Sequence, residues 1–250
     1  MITAASNSRI KRLVQLNQKS KLRRTEDVFL AEGVKMFLEA PREQLQEVYV
    51  SESFLEKCSC REYLEEVGYE VVSDSVFSKI SDTCTPQGIL CVLKQFHYNI
   101  EEMLRDKAPL FLLLENIQDP GNLGTMLRTG EGAGVSGIIM SRDTVDLYNP
   151  KVIRSTMGSI YRVPFYYADD FAAAVHQVQQ AGVSVYAAHL RGKNSYACQD
   201  YTKGTAFLIG NEGNGLREET AELADCYIRI PMEGKVESLN AAVASSILMY

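Results

Sequence analysis

Several features that commonly reveal the class of a protein are missing from this sequence. No apolar run approaches the roughly 20 residues that a membrane-spanning helix requires. The amino terminus lacks an apolar stretch followed by a cleavage site, which argues against a secretory signal. The composition, 46% hydrophobic and 23% charged residues, is that of an ordinary globular protein. We therefore predict a cytoplasmic protein with no membrane partner.

The cysteines are few and irregularly spaced. Only Cys58 and Cys60 lie close together among the six, no C-x-x-C pair occurs, and no histidine lies near them. Zinc sites and disulfide frameworks show tighter grouping of their ligands or cysteines. We interpret these residues as buried or incidental thiols in a reducing compartment, and we predict no metal.

The glycine-rich signatures of two nucleotide-binding folds are also missing. The chain contains no glycine-lysine-serine or glycine-lysine-threonine triplet, which a P-loop requires. The loop after the apolar run 110–114 offers Gly121-Asn-Leu-Gly124 instead of the dinucleotide-binding pattern G-x-G-x-x-G. A dinucleotide-dependent oxidoreductase is therefore disfavoured.

Charge is distributed unevenly along the chain. The net charge is −6, yet residues 1–24 contain seven Lys or Arg and no acid, so the other 226 residues carry 19 basic and 32 acidic side chains. This asymmetry favours a local phosphate-binding surface on an otherwise acidic protein, although a solvated basic helix face explains it equally well. The candidate residues for binding the phosphates of a nucleic acid are Arg9, Lys11, Arg12, Arg23 and Arg24.

Short alternating strands and helices predict two α/β domains. We expect a small α/β domain over residues 1–97, a charged linker over 98–108 and a mostly parallel α/β domain over 109–250. The continuous apolar run 110–114 predicts a central parallel strand covered on both faces. Residues 19–26 are polar and basic and indicate a connection between elements.

Three polar segments follow predicted strands, at the sheet edge where open α/β folds bind ligands. In residues 116–134 a Pro-Gly turn precedes Asn122, and Arg128 lies less than two helical turns further on. Residues 207–216 contain a glycine-rich loop that would let backbone pack against a flat ligand such as an adenosine. Residues 230–244 join a proline-ended strand to an apolar helix.

Each segment taken alone also has a purely structural explanation. Asn122 and Ser238 are well suited to cap the helices that follow them, as Ser6 is near the amino terminus. Arg128 then becomes an ordinary surface arginine, and the glycines become a tight turn before a helix.

In combination, the three segments resemble the SpoU (TrmH) family of RNA 2′-O-ribose methyltransferases, within the SPOUT superfamily. The resemblance rests on the order and spacing of Asn122-Leu-Gly with Arg128-Thr, Gly210-x-Glu212-Gly-x-Gly215, and Ile230-Pro-Met with Ser238-Leu-Asn240. Residues 1–97 are similar to the family's small substrate-binding domain, which is like ribosomal protein L30e.

The resemblance implies a carboxy-terminal domain with a trefoil knot, a rare exception to unknotted topology. It implies methyl transfer from S-adenosylmethionine to a ribose 2′-hydroxyl of RNA, and a homodimer packed partly through the closing helix. The two-domain layout favours ribosomal RNA over transfer RNA. A homologue that binds RNA but has lost catalysis is the alternative from another class.

The resemblance also implies roles for individual residues. An arginine is a poor general base because its pKa exceeds ~12, so we predict that Arg128 positions substrate and stabilises developing negative charge. The predicted catalytic residues are Arg128, Asn122, Glu212, Ser238 and Asn240. The predicted donor-binding residues are Gly210, Ile230, Leu239, Met232 and His189.

Overall fold

The computed structural model describes residues 1–250 and divides them into two compact units, each with its own sheet. Its α-helices are α1 (Ser8–Gln18), α2 (Ser20–Glu26), α3 (Val34–Glu39), α4 (Glu52–Lys57), α5 (Arg61–Val67), α6 (Asp74–Ile80), α7 (Ile100–Met103), α8 (Pro120–Ala133), α9 (Pro150–Thr156), α10 (Phe171–Gln180), α11 (Glu218–Ala221) and α12 (Ala241–Met249). Its strands are β1 (Val28–Glu32), β2 (Leu45–Ser51), β3 (Glu70–Val72), β4 (Ile89–Lys94), β5 (Leu110–Leu114), β6 (Gly137–Ser141), β7 (Phe165–Ala168), β8 (Ser184–Ala188), β9 (Asn194–Ser195), β10 (Thr205–Ile209) and β11 (Cys226–Arg229). None of the helices is both long and apolar enough to cross a membrane.

The first unit consists of Met1–Phe96 and Asp146–Tyr161. Its four-stranded sheet has the order β1-β4-β2-β3, and β4 runs antiparallel to both of its neighbours. The segment 146–161 joins this unit because α9 packs on β1 and the Tyr148 hydroxyl accepts a hydrogen bond from the Phe96 N–H at 2.7 Å. These contacts join residues far apart in sequence, and local patterns do not reveal them.

The amino-terminal helices differ in detail from their sequence prediction. The N-cap of α1 is Asn7, whose side chain accepts from the Arg9 N–H at 2.9 Å, so Ser6 does not cap the helix. Residues 20–26 form α2, although their polarity indicated a connection. The apolar stripe of α1 packs into the core of the unit and consists of Ile10, Leu13 and Leu16.

The second unit consists of His97–Val145 and Arg162–Tyr250. Its sheet has the order β7-β6-β5-β10-β8-β11-β9, and all of its strand pairs are parallel. The predicted strand at 110–114 is β5, whose residues 111–114 are buried between β6 and β10. Because the strands are parallel, the loops at their carboxyl ends meet at one edge. The trefoil knot stays a prediction.

Two helices of this unit begin at residues other than those predicted from sequence. Asp119 caps α8 by accepting from the Asn122 N–H at 2.8 Å, and Pro120 occupies the first turn, where its missing N–H costs nothing. Asn240, not Ser238, caps α12. Because Asp119 and Asn240 are the caps, the side chains of Asn122 and Ser238 remain available for other contacts at the sheet edge.

One buried ion pair ties the first unit together. Arg23 is only 3% exposed, and its guanidinium donates to Asp146 at 2.5 Å and to the Leu16 carbonyl at 2.6 Å. The pair therefore joins α2 to the segment that begins at Asp146, and the hydrogen bond to Leu16 adds the end of α1. A buried cation of this kind is tolerated only while its partner is present.

We expect Asp146→Ala to lower the free energy of unfolding by about 3 kcal/mol, because it leaves the Arg23 charge buried and unpaired. Urea unfolding followed by circular dichroism measures this loss. Glu70→Ala is the control, since it removes the exposed partner of Arg9 and should change stability little. Equal losses in the two variants would contradict the importance of burial.

Candidate active site

A cavity of about 290 Å³ opens at the carboxyl edge of the seven-stranded sheet. The loops after β8, β10 and β11 form its sides, and the first turn of α12 closes it. Its walls are mainly apolar, with a polar rim from residues 211–215. All five predicted donor-binding residues line it, namely His189, Gly210, Ile230, Met232 and Leu239.

The loop after β10 is held in a tight hairpin. Asn211 and Gly215 exchange two backbone hydrogen bonds of 3.0 and 2.9 Å, and the Asn211 side chain accepts from the Gly213 and Asn214 N–H groups. A Cβ on Gly210 would lie 2.2 Å from the Gly215 carbonyl carbon, so only glycine fits there. The glycine pattern of the sequence therefore has a steric reason, and it gives the cavity a fixed wall.

A second, more open cavity adjoins the first and shares with it Asn211, Glu212, Gly213, Ser238 and Leu239. The loop before α8 supplies its other side, at Gln118, Asp119, Pro120 and Asn122. Four of the five predicted catalytic residues line this cavity: Asn122, Glu212, Ser238 and Asn240.

A chain of side-chain amides fixes the geometry where the two cavities meet. The Asn240 Oδ1 accepts from the N–H groups of Ala242 and Val243, so its Nδ2 must be the atom that donates to Asn122 Oδ1, at 2.9 Å. Asn122 Nδ2 in turn donates to Glu212 Oε1 at 3.0 Å. The free N–H groups at the start of α12 thus orient both amides and aim the last donor at a carboxylate.

Glu212 is a carboxylate that accepts several hydrogen bonds and forms no ion pair. It also accepts from the backbone N–H groups of Gln118 at 3.1 Å and Asp119 at 3.0 Å. Burial raises the pKa of Glu212, but the hydrogen bonds from the Asn122 side chain and these two backbone groups outweigh it, and the pKa lies below its ordinary value. Glu212 is therefore ionised at neutral pH.

Two predicted catalytic residues stand apart from this network. Arg128 lies on the exposed side of α8 and lines neither cavity, and its side chain makes no hydrogen bond. Ser238 lines both cavities but makes no hydrogen bond within the chain. The fold of one chain therefore brings together Asn122, Glu212 and Asn240, and leaves Arg128 facing solvent.

His189 occupies an aromatic corner of the first cavity. The centre of its ring lies 5.1 Å from the centre of the Tyr227 ring. The Arg191 guanidinium lies over the Tyr227 ring, 5.8 Å from its centre. Burial, and then the nearby charge of Arg191, lowers the pKa of His189. The imidazole is neutral at physiological pH, which suits contact with an uncharged ring.

The basic amino-terminal residues fall into two groups. Arg9 is paired with Glu70, and Arg12 with Glu26 and Glu47. The prediction that Arg23 binds RNA is wrong, because its buried guanidinium already donates to Asp146 and to two backbone carbonyls. The exposed cations of α1 and α2 without an ion pair are Lys11, Lys21 and Arg24, together with Lys19 between the helices.

Three residues of the site were not predicted from the sequence. Asp119 caps α8, Gln118 donates its N–H to Glu212, and Asn211 shapes the hairpin. Asp119 and Gln118 directly precede the Pro-Gly turn, and Asn211 lies inside the glycine pattern, so position relative to those motifs was the available signal. No group of three or more His, Cys, Asp or Glu side chains is arranged to hold a metal.

Together, the fold and the site define an α/β protein with a ligand cavity at the carboxyl edge of a parallel sheet, beside an ionised and oriented polar cluster. Residues 109–250 match the SpoU rRNA Methylase family, and residues 7–91 match the MRM3-like substrate binding domain. The chain belongs to the SpoU rRNA methylase family, which confirms the resemblance inferred from its motifs.

Several relatives match most or all of the chain. The 23S rRNA (guanosine(2553)-2'-O)-methyltransferase RlmP of Bacillus subtilis is 33% identical over 252 residues, covering 100% of this chain and 97% of RlmP. The 23S rRNA (guanosine-2'-O-)-methyltransferase RlmB of Bordetella pertussis is 31% identical and covers 83% of this chain and 88% of its own length. The crystal structure of an AdoMet-bound rRNA methyltransferase from Sinorhizobium meliloti has a TM-score of 0.85 at 30% identity, covering 99% of this chain and 95% of that one.

We expect Glu212→Gln to lower the free energy of unfolding at neutral pH, because the amide nitrogen would face N–H donors. The folded pKa of Glu212 lies below the unfolded value of 4.5, so the carboxylate's contribution is fully present above pH 4.5 and is lost as the pH falls through the folded pKa. The difference between wild type and variant should therefore shrink in acid. Urea unfolding across a pH series measures it.

Glu237→Gln is the matched control for this pH series. Glu237 lines the same cavity and accepts no hydrogen bond from the chain. Its variant should show no pH-dependent difference from wild type. A difference for Glu212→Gln that stays constant into acid would refute the role of the charged form.

Proposed function

We propose that this chain transfers a methyl group from S-adenosylmethionine to a ribose 2′-hydroxyl of ribosomal RNA, in the cytoplasm. The observation that carries the proposal is the direct junction between the apolar cavity and the oriented Asn240–Asn122–Glu212 network. The names of the relatives support it, since RlmP and RlmB are 23S rRNA 2′-O-methyltransferases and the Sinorhizobium meliloti enzyme binds AdoMet.

The first cavity suits an adenosine-containing donor in shape and chemistry. Apolar walls at Ile230, Met232 and Leu239 match the faces of a flat base, and the tight hairpin at Gly210 offers backbone groups close to a ligand. The neutral ring of His189 adds an aromatic surface. When bound, S-adenosylmethionine supplies a methyl group activated by a positively charged sulfur.

The polar network serves the acceptor. A ribose hydroxyl is a poor nucleophile, so its orientation and the loss of its proton must be assisted. Asn122, Asn240 and Ser238 offer hydrogen-bonding groups in the second cavity, and the ionised Glu212 provides negative charge beside the site of a cationic donor. Arg128, on the exposed side of α8, acts in this proposal on the RNA phosphate and the reacting hydroxyl, stabilising developing charge.

The proposal includes a homodimer that packs through α12. This helix is almost entirely apolar, yet Val243 is 48% exposed and the adjoining Tyr250 is 82% exposed. Large exposed apolar side chains on a closing helix are typical of a surface that another subunit covers.

Methyl transfer to purified RNA tests the proposal directly. We expect the protein to transfer label from S-adenosylmethionine to 23S rRNA, and nuclease digestion with mass spectrometry should identify a 2′-O-methylated nucleoside. A guanosine is the first candidate, because RlmP and RlmB both act on guanosine. Methylation of transfer RNA alone, or of a base instead of a ribose, would refute the proposal.

Arg128→Lys in the same assay should reduce turnover by about 10²–10³-fold, because a point charge does not reproduce the planar fork of a positioned guanidinium. Binding of S-adenosylhomocysteine should be unchanged, since Arg128 lines neither cavity. Turnover near that of wild type would contradict the assigned role.

RNA docking should depend on the unpaired cations of the first unit. Replacing Lys11, Lys19, Lys21 and Arg24 by Gln should weaken RNA binding and flatten the dependence of affinity on salt, because fewer counterions are released. A double variant of the paired residues, Arg9→Gln with Arg12→Gln, is the control and should change the salt slope less. Equal salt slopes for wild type and the quadruple variant would show that these four residues have no role in docking.

A further inference from the structure

Glu115 is a buried carboxylate to which the proposed chemistry gives no role. It directly follows β5 and is only 1% exposed. Its Oε2 accepts from the Arg217 backbone N–H at 2.8 Å, and its Oε1 accepts from the Thr220 hydroxyl and contacts the Arg217 guanidinium at 3.4 Å. A carboxylate is rarely this buried unless its oxygens are fully satisfied, as they are here.

Arg217, the backbone partner of Glu115, lies at the end of the loop that forms one wall of the first cavity. Residues 210–217, the donor loop, carry the hairpin that forms the cavity wall and end at Arg217. Residues 115–119, the acceptor loop, lead to the cap of α8 and to Asn122. Glu115 therefore reaches from the beginning of the acceptor loop to the end of the donor loop.

The two loops hold each other through reciprocal hydrogen bonds. Glu115 of the acceptor loop accepts a backbone N–H of the donor loop, while Glu212 of the donor loop accepts two backbone N–H groups of the acceptor loop. Asn211 of the donor loop also donates to the Asn116 carbonyl at 2.8 Å. Beyond the last ladder bond, from the Glu115 N–H to the Ile209 carbonyl at 2.9 Å, no regular strand pairing joins the loops.

Arg217 extends this arrangement to the loop after β6. Its guanidinium contacts Asp143, whose other oxygen accepts from the Ser141 hydroxyl at 2.5 Å. The Ser141 oxygen in turn accepts from the Asn116 N–H at 2.8 Å. The end of the donor loop is thus fixed against two neighbouring loops at once, and Glu115 is the buried member of the set.

We propose that Glu115 is a positioning residue for donor binding, which holds the hairpin wall of the cavity in register with Asn122 and Glu212. The inference rests on the proposed function, since it concerns the same methyl donor. Glu115 touches neither cavity, so it acts only through the donor loop.

Calorimetry with S-adenosylhomocysteine on wild type and Glu115→Gln tests the inference. The amide would leave the Arg217 N–H or the buried Thr220 hydroxyl without an acceptor, and we expect Kd to rise about tenfold. In turnover assays the KM for S-adenosylmethionine should rise similarly, while the KM for RNA stays within about twofold. A merely destabilised protein would not show this split between the two substrates.

Asp225→Asn is the control for a carboxylate that accepts a backbone N–H away from both cavities. Asp225 also accepts a backbone N–H, from Val185 at 2.7 Å, but it precedes β11 and so lies at the opposite edge of the same sheet. Its variant should bind S-adenosylhomocysteine as wild type does. An unchanged affinity for Glu115→Gln, or an equal loss in both variants, overturns the inference.

Thr220→Val provides a second variant in case Glu115→Gln does not fold. It keeps the shape of the buried side chain and removes one hydrogen bond to Glu115, so we expect Kd to rise about threefold. Wild-type affinity in folded Thr220→Val then overturns the inference. Failure of the wild-type protein itself to bind S-adenosylhomocysteine would instead refute the proposed function, and this inference with it.

Discussion

Adjacent parallel strands β5 and β10 end side by side, and the polar groups of their loops must be satisfied where the regular ladder stops. Glu115 and Glu212 meet this requirement in opposite directions, each accepting N–H groups from the other loop. This exchange joins the loop that forms the cavity wall to the loop that caps α8. The hydrogen bonds that satisfy the backbone N–H groups of these loops therefore also shape the binding site.

Helix caps link the same loops to the polar network. Because Asp119 caps α8 and Asn240 caps α12, the Asn122 side chain is left to bridge the two helices. The N–H groups at the start of α12 determine which atom of each amide side chain donates. The last amide in this chain of hydrogen bonds donates to the Glu212 carboxylate. A site held by helix ends needs no flexible cation to orient it, which agrees with the position of Arg128 outside the network.

Much of this arrangement was predictable from particular residues. The unbroken apolar run of residues 110–114 predicted a buried parallel strand, and the glycines at 210–215 predicted a tight loop against a cavity. The caps were misjudged by one to three positions, because neighbouring polar residues such as Ser6 and Asn7 have similar intrinsic capacity to cap. Which basic residues form ion pairs was not predictable, since the partners of Arg9 and Arg23 are Glu70 and Asp146, which lie far from them in the sequence.

The sequence by itself determined the family and the parallel α/β character of the larger unit, because the spacing of the motifs and the hydrophobic pattern can be read directly along the chain. Only the tertiary structure shows which charged residues form ion pairs. It also shows that residues 146–161 pack with the amino-terminal unit and that Glu115 accepts a hydrogen bond from the donor loop. The Arg23–Asp146 ion pair and the Glu115–Arg217 hydrogen bond join residues 123 and 102 positions apart. Such contacts exist only once the strands have found their order in the sheet.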